Sequence, residues 1–454
     1  MFYQMFSAVS VLLLSGSVLT AAFLIDLKTT LPSAWDNMLI KHKWDFIPDN
    51  WAALGHPPNG TTIDFHIALK PKRENALIDA LHDVSQPGHP KHVLLTTPLV
   101  DAYSSVPLLL IRYGAHLTKE QVADLVAPHP DTLELVSTWL EYKGVPPSSI
   151  STSHGGGWLT VTGVPVSQAN DLLGASYQLY HHSKRNDTIL RTAGYALPTV
   201  LHTHVRTIVP TTAFTSFRAL QNVPRSRPDR ATAAEGNMTT GEPANILSRR
   251  DTSITPSVLR SIYKTEAFIP TGREDNALGI VGFENQYPSR TDLWDFMDKY
   301  RSDAGTPNLD FQTVNYNLGY IMVPGEEANL GVQYTSALAS PTPLIYYMSI
   351  SKGIGQTGPG DRYTEWLDYM AAKTSVPPTI SMAYGITSEL SITLEYADAV
   401  CKLFGQLGAR GVSIFVASGD DGVGEGQCPA YSFKNFRFYT TFPASCTCGL
   451  YSPL

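Results

Sequence analysis

The chain has 454 residues, of which 43% are apolar and 16% charged, which is enough for two or three domains with cores of their own. A formal net charge of −7 supplies no basic surface for nucleic acid or for an anionic membrane, and those partner classes are set aside.

Residues 1–22 carry one apolar stretch, Val9–Leu19, that ends in Thr20-Ala21-Ala22. Its length and small-residue end match a secretory signal better than a membrane anchor, although the usual basic start is missing. The mature chain is therefore expected to be secreted and extracellular, or vacuolar. Three Asn-x-Ser/Thr triplets, at Asn59, Asn186 and Asn237, are candidate glycosylation sites that fit a secreted chain. All four cysteines, Cys401, Cys428, Cys446 and Cys448, fall near the C-terminus, where an oxidising compartment would allow one or two disulfides. Cys446 and Cys448 stand too close together to bridge each other easily. A cysteine-only zinc site lacks the CxxC spacing, and no metal site is expected.

Residues 23–219 read as a compact α+β region. Thr62–Leu69 is a predicted strand and Glu74–His82 a helix. A second helix, Leu117–Val126, is opened by Thr118 with Glu120 behind it. Asp131–Lys143 is a third, with apolar residues at Leu133, Leu135, Val136 and Leu140. Gly157–Gly163 is a strand and Ser167–Leu173 a helix. The segment Val93–Arg112 is apolar, carries two prolines and fits no element. Residues 220–250 form a polar linker with Pro224, Pro228 and Pro243. It ends in Arg249-Arg250, which is either a processing site or two surface arginines.

From 251 to 454 strand and helix alternate. Strands are predicted at Leu278–Phe283, Leu344–Ile350, Thr379–Tyr384 and Val412–Val416. Helices are predicted at Arg290–Arg301, Glu326–Leu338, Tyr363–Lys373 and Ser391–Leu407. This is the pattern of a doubly wound parallel α/β domain. The last strand stops abruptly at Ser418-Gly-Asp-Asp421, as a buried strand does when it delivers polar groups to the carboxyl edge of a sheet. Taken alone, the same residues read equally as a turn.

Three stretches in order, Gly325-Glu-Glu-Ala-Asn-Leu-Gly-Val-Gln-Tyr334, Ser418-Gly-Asp420 and Phe442-Pro-Ala-Ser-Cys446, resemble motifs of the sedolisins. These are the serine-carboxyl peptidases, which include fungal tripeptidyl peptidases. Ile254–Tyr263 resembles the family's mature start, and Tyr113–Phe214 its activation propeptide. The resemblance implies a subtilisin-like α/β catalytic domain, here 251–454 and incomplete at its C-terminus, behind a ferredoxin-like α+β prodomain. It implies hydrolysis of peptide bonds at acid pH, as tripeptidyl-peptidase or endopeptidase, with the prodomain as intramolecular inhibitor. A monomer with peptide or protein substrates is expected. A carboxylate base suits acid pH, where histidine is protonated, and a protonated carboxyl can donate to an oxyanion.

By that resemblance the base is Glu327 and the oxyanion carboxyl Asp420, while Ser381, Tyr384 and Gly385 bind the substrate backbone. As an ordinary reading, Ser381–Gly385 is simply a buried strand. The family's orienting aspartate falls at position 331, where this chain has Gly331. Its nucleophile lies in a Gly-Thr-Ser segment that occurs nowhere in the 454 residues. The sequence thus reads as truncated before the nucleophile, and the family's calcium ion is expected only from the part that would follow. No cofactor is expected in this chain. An alternative is a catalytically inactive chain or pseudo-peptidase. Val93–Arg112 reads as an insertion between His92 and Tyr113, Ile386-Thr-Ser388 replaces the family's acidic residues, and Ser253 and Ser257 replace cysteines. Some of these are expected to be unspliced or misread segments, which transcript sequence lacking the codons for Val93–Arg112 would verify.

Other candidates are weaker. His181-His182 and His202-Thr-His204 lack a carboxylate or cysteine at ligand spacing and read as surface histidines. Gly353–Gly360 lacks the lysine and context of a phosphate loop. Asp420-Asp421 lacks the further oxygen ligands that calcium needs.

Overall fold

The computed structural model describes residues 32–85, 115–183, 188–215, 218–219, 254–273, 275–283, 286–304, 311–315, 323–348, 361–386, 391–419, 440–446 and 450–451. The predicted signal peptide, Val93–Arg112, the linker and Gly353–Gly360 lie outside them. The chain divides into two units. One is drawn mainly from residues up to Glu74 and from Ala123–Phe214; the other mainly from Asn75–Val122, Thr215–Lys352 and Arg362–Leu454.

In the first unit, four antiparallel strands lie in the order β2-β3-β1-β4. They are β1 (Thr62–Leu69), β2 (Ile150–Thr152), β3 (Trp158–Pro165) and β4 (Val205–Val209). Alternation sets the buried face, since Ile63, Phe65 and Ile67 are each 1% exposed while their neighbours reach solvent. After β1 comes α1 (Ala76–Ser85), which belongs with the second unit. The first unit's helices α2 (Pro130–Tyr142) and α3 (Val166–Leu173) put Val136, Trp139, Leu140 and Leu172 into the core with the β1 side chains. Short antiparallel pairings add Met38–Lys43 to Gly194–Pro198 and Trp51–Gly55 to Gln178–His182.

The second unit is built on six parallel strands in the order β7-β8-β6-β9-β11-β12. A two-residue strand, β5 (Arg218–Ala219), precedes them in the chain. The sheet strands are β6 (Leu278–Gly282), β7 (Phe311–Asn315), β8 (Leu344–Met348), β9 (Thr379–Met382), β11 (Ser413–Val416) and β12 (Leu450–Tyr451), with the short β10 (Tyr384–Gly385) directly after β9. The chain enters mid-sheet at β6, moves out to β7 and back through β8, then crosses to β9 on the other side of β6. Helices α4 (Arg290–Arg301) and α5 (Glu326–Ala339) bury Leu293, Met297, Ala328 and Val332 against Ile280 and Tyr346 of the strands. Helices α6 (Arg362–Ala372) and α7 (Leu394–Ala409) supply Tyr363, Trp366 and Phe404 to an aromatic cluster with Phe283 and Tyr384. Helix α1 packs on α7 and buries Leu77, Leu81 and Val84, one stripe at helical spacing.

Three local differences from the sequence reading have physical causes. Thr118 does open a helix, Lys119–Val126, but its reciprocal partner is Gln121 rather than Glu120. The Gln121 N–H donates to Thr118 Oγ1 at 3.2 Å, and the Thr118 N–H to Gln121 Oε1 at 2.8 Å. The predicted strand Thr379–Tyr384 breaks at Ala383 into β9 and β10. Strand β7 was missed because it lies at the sheet edge, with Phe311 buried but Gln312 and Thr313 exposed. No helix among the described residues is long and apolar enough to cross a membrane.

Candidate active site

In an open parallel sheet, ligands meet the carboxyl ends of the strands where the winding changes direction. Here that edge lies beyond β6 and β9, and the predicted residues come from the chain following β9 and β11 and from the start of α5. Helix α5 begins at Glu326 behind the N-cap Gly325, whose backbone is extended and makes no side-chain cap. Any Cβ at 325 would overlap the Gln286 side chain, so glycine allows the helix end to approach that residue.

Glu326 and Glu327 occupy the first turn, where the positive end of the helix dipole favours carboxylates. Successive helical residues point about 100° apart, and the two part accordingly. Glu326 is exposed, whereas Glu327 is 8% exposed. The helix is pinned from its other side. The Ser289 N–H donates to Asn329 Oδ1 at 2.7 Å, and Asn329 Nδ2 donates to Asp292 Oδ2 at 2.7 Å.

One turn after Glu327 stands Gly331. A Cβ there would meet Ile280 Cγ2 at 3.4 Å and Cδ1 at 3.8 Å, ordinary contact distances. The position can therefore take a side chain without moving the strand. Ile280 is paired with Ser381, and Ser381 with Phe415, so the three share one face of the sheet. Ile280 is covered by α5, while Ser381 and Phe415 (44%) are exposed.

The predicted substrate strand already carries a strand of this same chain. β5 pairs antiparallel with β10, with Arg218 opposite Gly385 and Ala219 opposite Tyr384. Tyr384 is 1% exposed, and its carbonyl accepts from the Tyr363 hydroxyl at 3.2 Å. Beyond β10, Ile386 exchanges both backbone hydrogen bonds with Phe442, at 2.7 and 3.0 Å. At the end of β11, the Ala417 N–H donates to the Met382 carbonyl at 3.1 Å, and Gly419 follows with φ of +101°.

Asp420 itself lies outside the described residues, as do Arg249, Arg250, Asn186 and Asn237; Asn59 is exposed in a turn. The histidines set aside as ligands have local roles. Thr132 Oγ1 and His204 Nδ1 are 2.8 Å apart, and His202 Nε2 lies 3.2 Å from the Leu39 carbonyl; His182, expected at the surface, is instead buried, edge-on to Trp51. Among the described residues no three His, Cys, Asp or Glu side chains gather to hold a metal ion. Sequence reasoning did not find the loop that joins these parts. Thr441 Oγ1 donates to the Ser418 carbonyl at 2.7 Å, and Cys446 is disulfide-bonded to Cys401 of α7. The Phe442–Cys446 motif and the cysteines near the C-terminus marked the stretch, but not the contacts it makes.

Residues 111–214 match the model of the pro-kumamolisin activation domain. Tripeptidyl-peptidase SED2 of Arthroderma otae is 28% identical over 433 residues, covering 91% of this chain and 67% of the relative. A probable tripeptidyl-peptidase SED2 of Arthroderma benhamiae is 29% identical over 416 residues, covering 88% and 65%. These likenesses support the resemblance to the sedolisin family. The chain spans about two thirds of the length of those relatives. A solved structure of Pseudomonas sedolisin bound to two molecules of pseudo-iodotyrostatin is 19% identical, with a TM-score of 0.33, and covers 44% of this chain and 52% of that one.

Proposed function

We propose that this chain is the proenzyme of a secreted serine-type peptidase of the sedolisin family that cleaves peptide bonds at acid pH and is held latent by its own pro-segment. The observation that carries the reading is the antiparallel pairing of Arg218–Ala219 with Tyr384–Gly385. An extended peptide added to a free strand edge is how a protease holds substrate backbone, and here the last two residues of the pro-region pair with that edge. Residues 23–219 are the prodomain in this reading, with a ferredoxin-like core. The placing of β1 between β3 and β4, with α3 directly after β3, supports that description. Residues 251–454 are the corresponding part of a subtilisin-like catalytic domain, and Arg249-Arg250 is the processing site. Signal peptide 1–22 and glycans at Asn59, Asn186 and Asn237 complete the secreted precursor.

In the mechanism, Glu327 takes the nucleophile's proton. A carboxylate does this at acid pH, where an imidazole is already protonated. Asp420, protonated, donates to the oxyanion. Ser381, Tyr384 and Gly385 bind substrate backbone. The nucleophilic serine is assigned to no residue of these 454, and no step is assigned to calcium. Gly331 favours a second reading, an inactive peptide-binding homologue, because glycine leaves Glu327 without a carboxylate one turn on to orient it.

The test is hydrolysis of a chromogenic tripeptide substrate at about pH 4, before and after cleavage of the linker, by the protein expressed from its natural transcript and by its Glu327→Gln variant. The peptidase reading expects turnover after cleavage that Glu327→Gln abolishes. No turnover by the cleaved wild type establishes the second reading, and equal turnover in the two proteins removes Glu327 as the base.

A further inference from the structure

The residues Thr441–Cys446 stand apart from the predicted catalytic groups, yet they are tied to three elements of the second unit. Phe442 exchanges both backbone hydrogen bonds with Ile386, the residue directly after β10. Its ring is 2% exposed and lies 5.8 Å from the ring of Tyr363 and 6.0 Å from that of Tyr396. Cys446 is bonded to Cys401 in α7. The loop is closed on itself by the Ser445 N–H to the Thr441 carbonyl and the Cys446 N–H to the Pro443 carbonyl, both at 2.9 Å.

From this anchored loop the Thr441 hydroxyl reaches the Ser418 carbonyl at 2.7 Å. That carbonyl belongs to the turn after β11, beyond the last ladder bond from Ala417, so the sheet no longer holds it. Gly419 makes the approach possible: a Cβ there would stand 3.2 Å from Thr441 Oγ1, and its φ of +101° suits glycine alone.

We propose that Thr441 is a positioning residue, whose hydroxyl sets the Ser418-Gly419 turn, immediately before Asp420 in sequence, relative to the peptide-pairing strand Tyr384–Gly385. The assignment rests on the peptidase reading for its functional meaning but not for its geometry. One loop thereby links the two halves of the site. The strand side is held through Ile386 and Phe442, and the turn side through Thr441 and Ser418.

Two substitutions separate the hydroxyl from the shape of the side chain. Thr441→Val keeps the volume and removes the donor; Thr441→Ser keeps the donor. Amide hydrogen exchange on the uncleaved chain, read at Ala417, whose N–H makes the last ladder bond before the turn, measures the turn without requiring turnover. The expectation is roughly tenfold faster exchange there in Thr441→Val, the loss of one hydrogen bond. Exchange in β9 and α7 should be unchanged, and Thr441→Ser should restore wild-type protection. Unchanged exchange at Ala417 in Thr441→Val overturns the proposal. So does acceleration spread through β9 and α7, or a Thr441→Ser protein that behaves like Thr441→Val. Where the cleaved wild type turns over peptide, Thr441→Val is expected to lower kcat with KM little changed, and Thr441→Ser to recover kcat. A wild type without turnover removes the peptidase reading alone, and the exchange comparison still decides the role of Thr441.

Discussion

The two units solve the burial problem differently. The first closes an antiparallel sheet with helices over one core of mixed aliphatic and aromatic side chains, in which Trp139, Val136 and Leu140 are fully buried against β1. The second relies on a parallel sheet whose switch region is filled by interlocked aromatics, Phe283, Tyr363, Trp366, Tyr384 and Phe404, and stapled by Cys401–Cys446. The first core is spread along contiguous strands and helices. The second gathers its largest side chains beside the candidate site, so rigidity there and function are coupled.

The strongest way to break this contrast is to hollow each core in turn. Trp139→Ala in the first unit and Trp366→Ala in the second should each cost about 3–5 kcal/mol, since both side chains are fully buried. Calorimetry should show each substitution lowering a different transition. A single transition lowered equally by both would show that the units do not have separate stabilities.

Removing the staple comes next. Cys401→Ala with Cys446→Ala opens a link between residues 45 apart in sequence, at a cost of about 2–4 kcal/mol. Urea unfolding should show the loss in the second unit and leave the first unit's midpoint alone.

A smaller effect is expected at the start of α7, where Thr393 Oγ1 accepts from the Tyr396 N–H at 3.1 Å. Thr393→Ala should cost about 1 kcal/mol, and Thr393→Ser much less, by the same unfolding measurement.

The smallest effect is also the most specific to the first unit. Burial, reinforced by the charges of His129 and Lys70 and opposed by Asp131, pushes His204 below its ordinary value of 6.5. Below that value the unfolded chain takes up a proton that the folded unit resists. The stability contribution is therefore complete above about pH 6.5 and declines as the pH falls toward the folded value. His204→Gln should flatten that part of the first unit's stability profile against pH. A profile unchanged by the substitution would remove His204 as its cause. In the proposed proenzyme the effect has the sign that loosens a prodomain on acidification.

Much of the architecture was legible because it depends on neighbours in sequence. Thr62–Leu69 alternates, and Arg290–Arg301 sits between a serine cap and a basic last turn; both ranges are found as read. The parting of Glu326 from Glu327 follows from helical geometry alone, as does the same-face relation of Glu327 to position 331. Strand β7 was not legible, because an edge strand with polar residues carries no buried run. The break at Ala383 was equally hidden, since Thr379–Gly385 reads as one extended stretch.

The sequence by itself determined which groups this chain can bring to a site: Glu327 at a helix start, glycine at 331, and a strand ending in Ser418-Gly-Asp. Only the tertiary structure decided how those parts are joined. Pairing of β5 with β10, the bridge from Ile386 to Phe442, the hydrogen bond from Thr441 to Ser418 and the Cys401–Cys446 bond all connect residues far apart in the chain. Local propensity says nothing about such contacts. Each exists because loop-closure entropy is offset by burial and hydrogen bonding that arise once the sheet has formed.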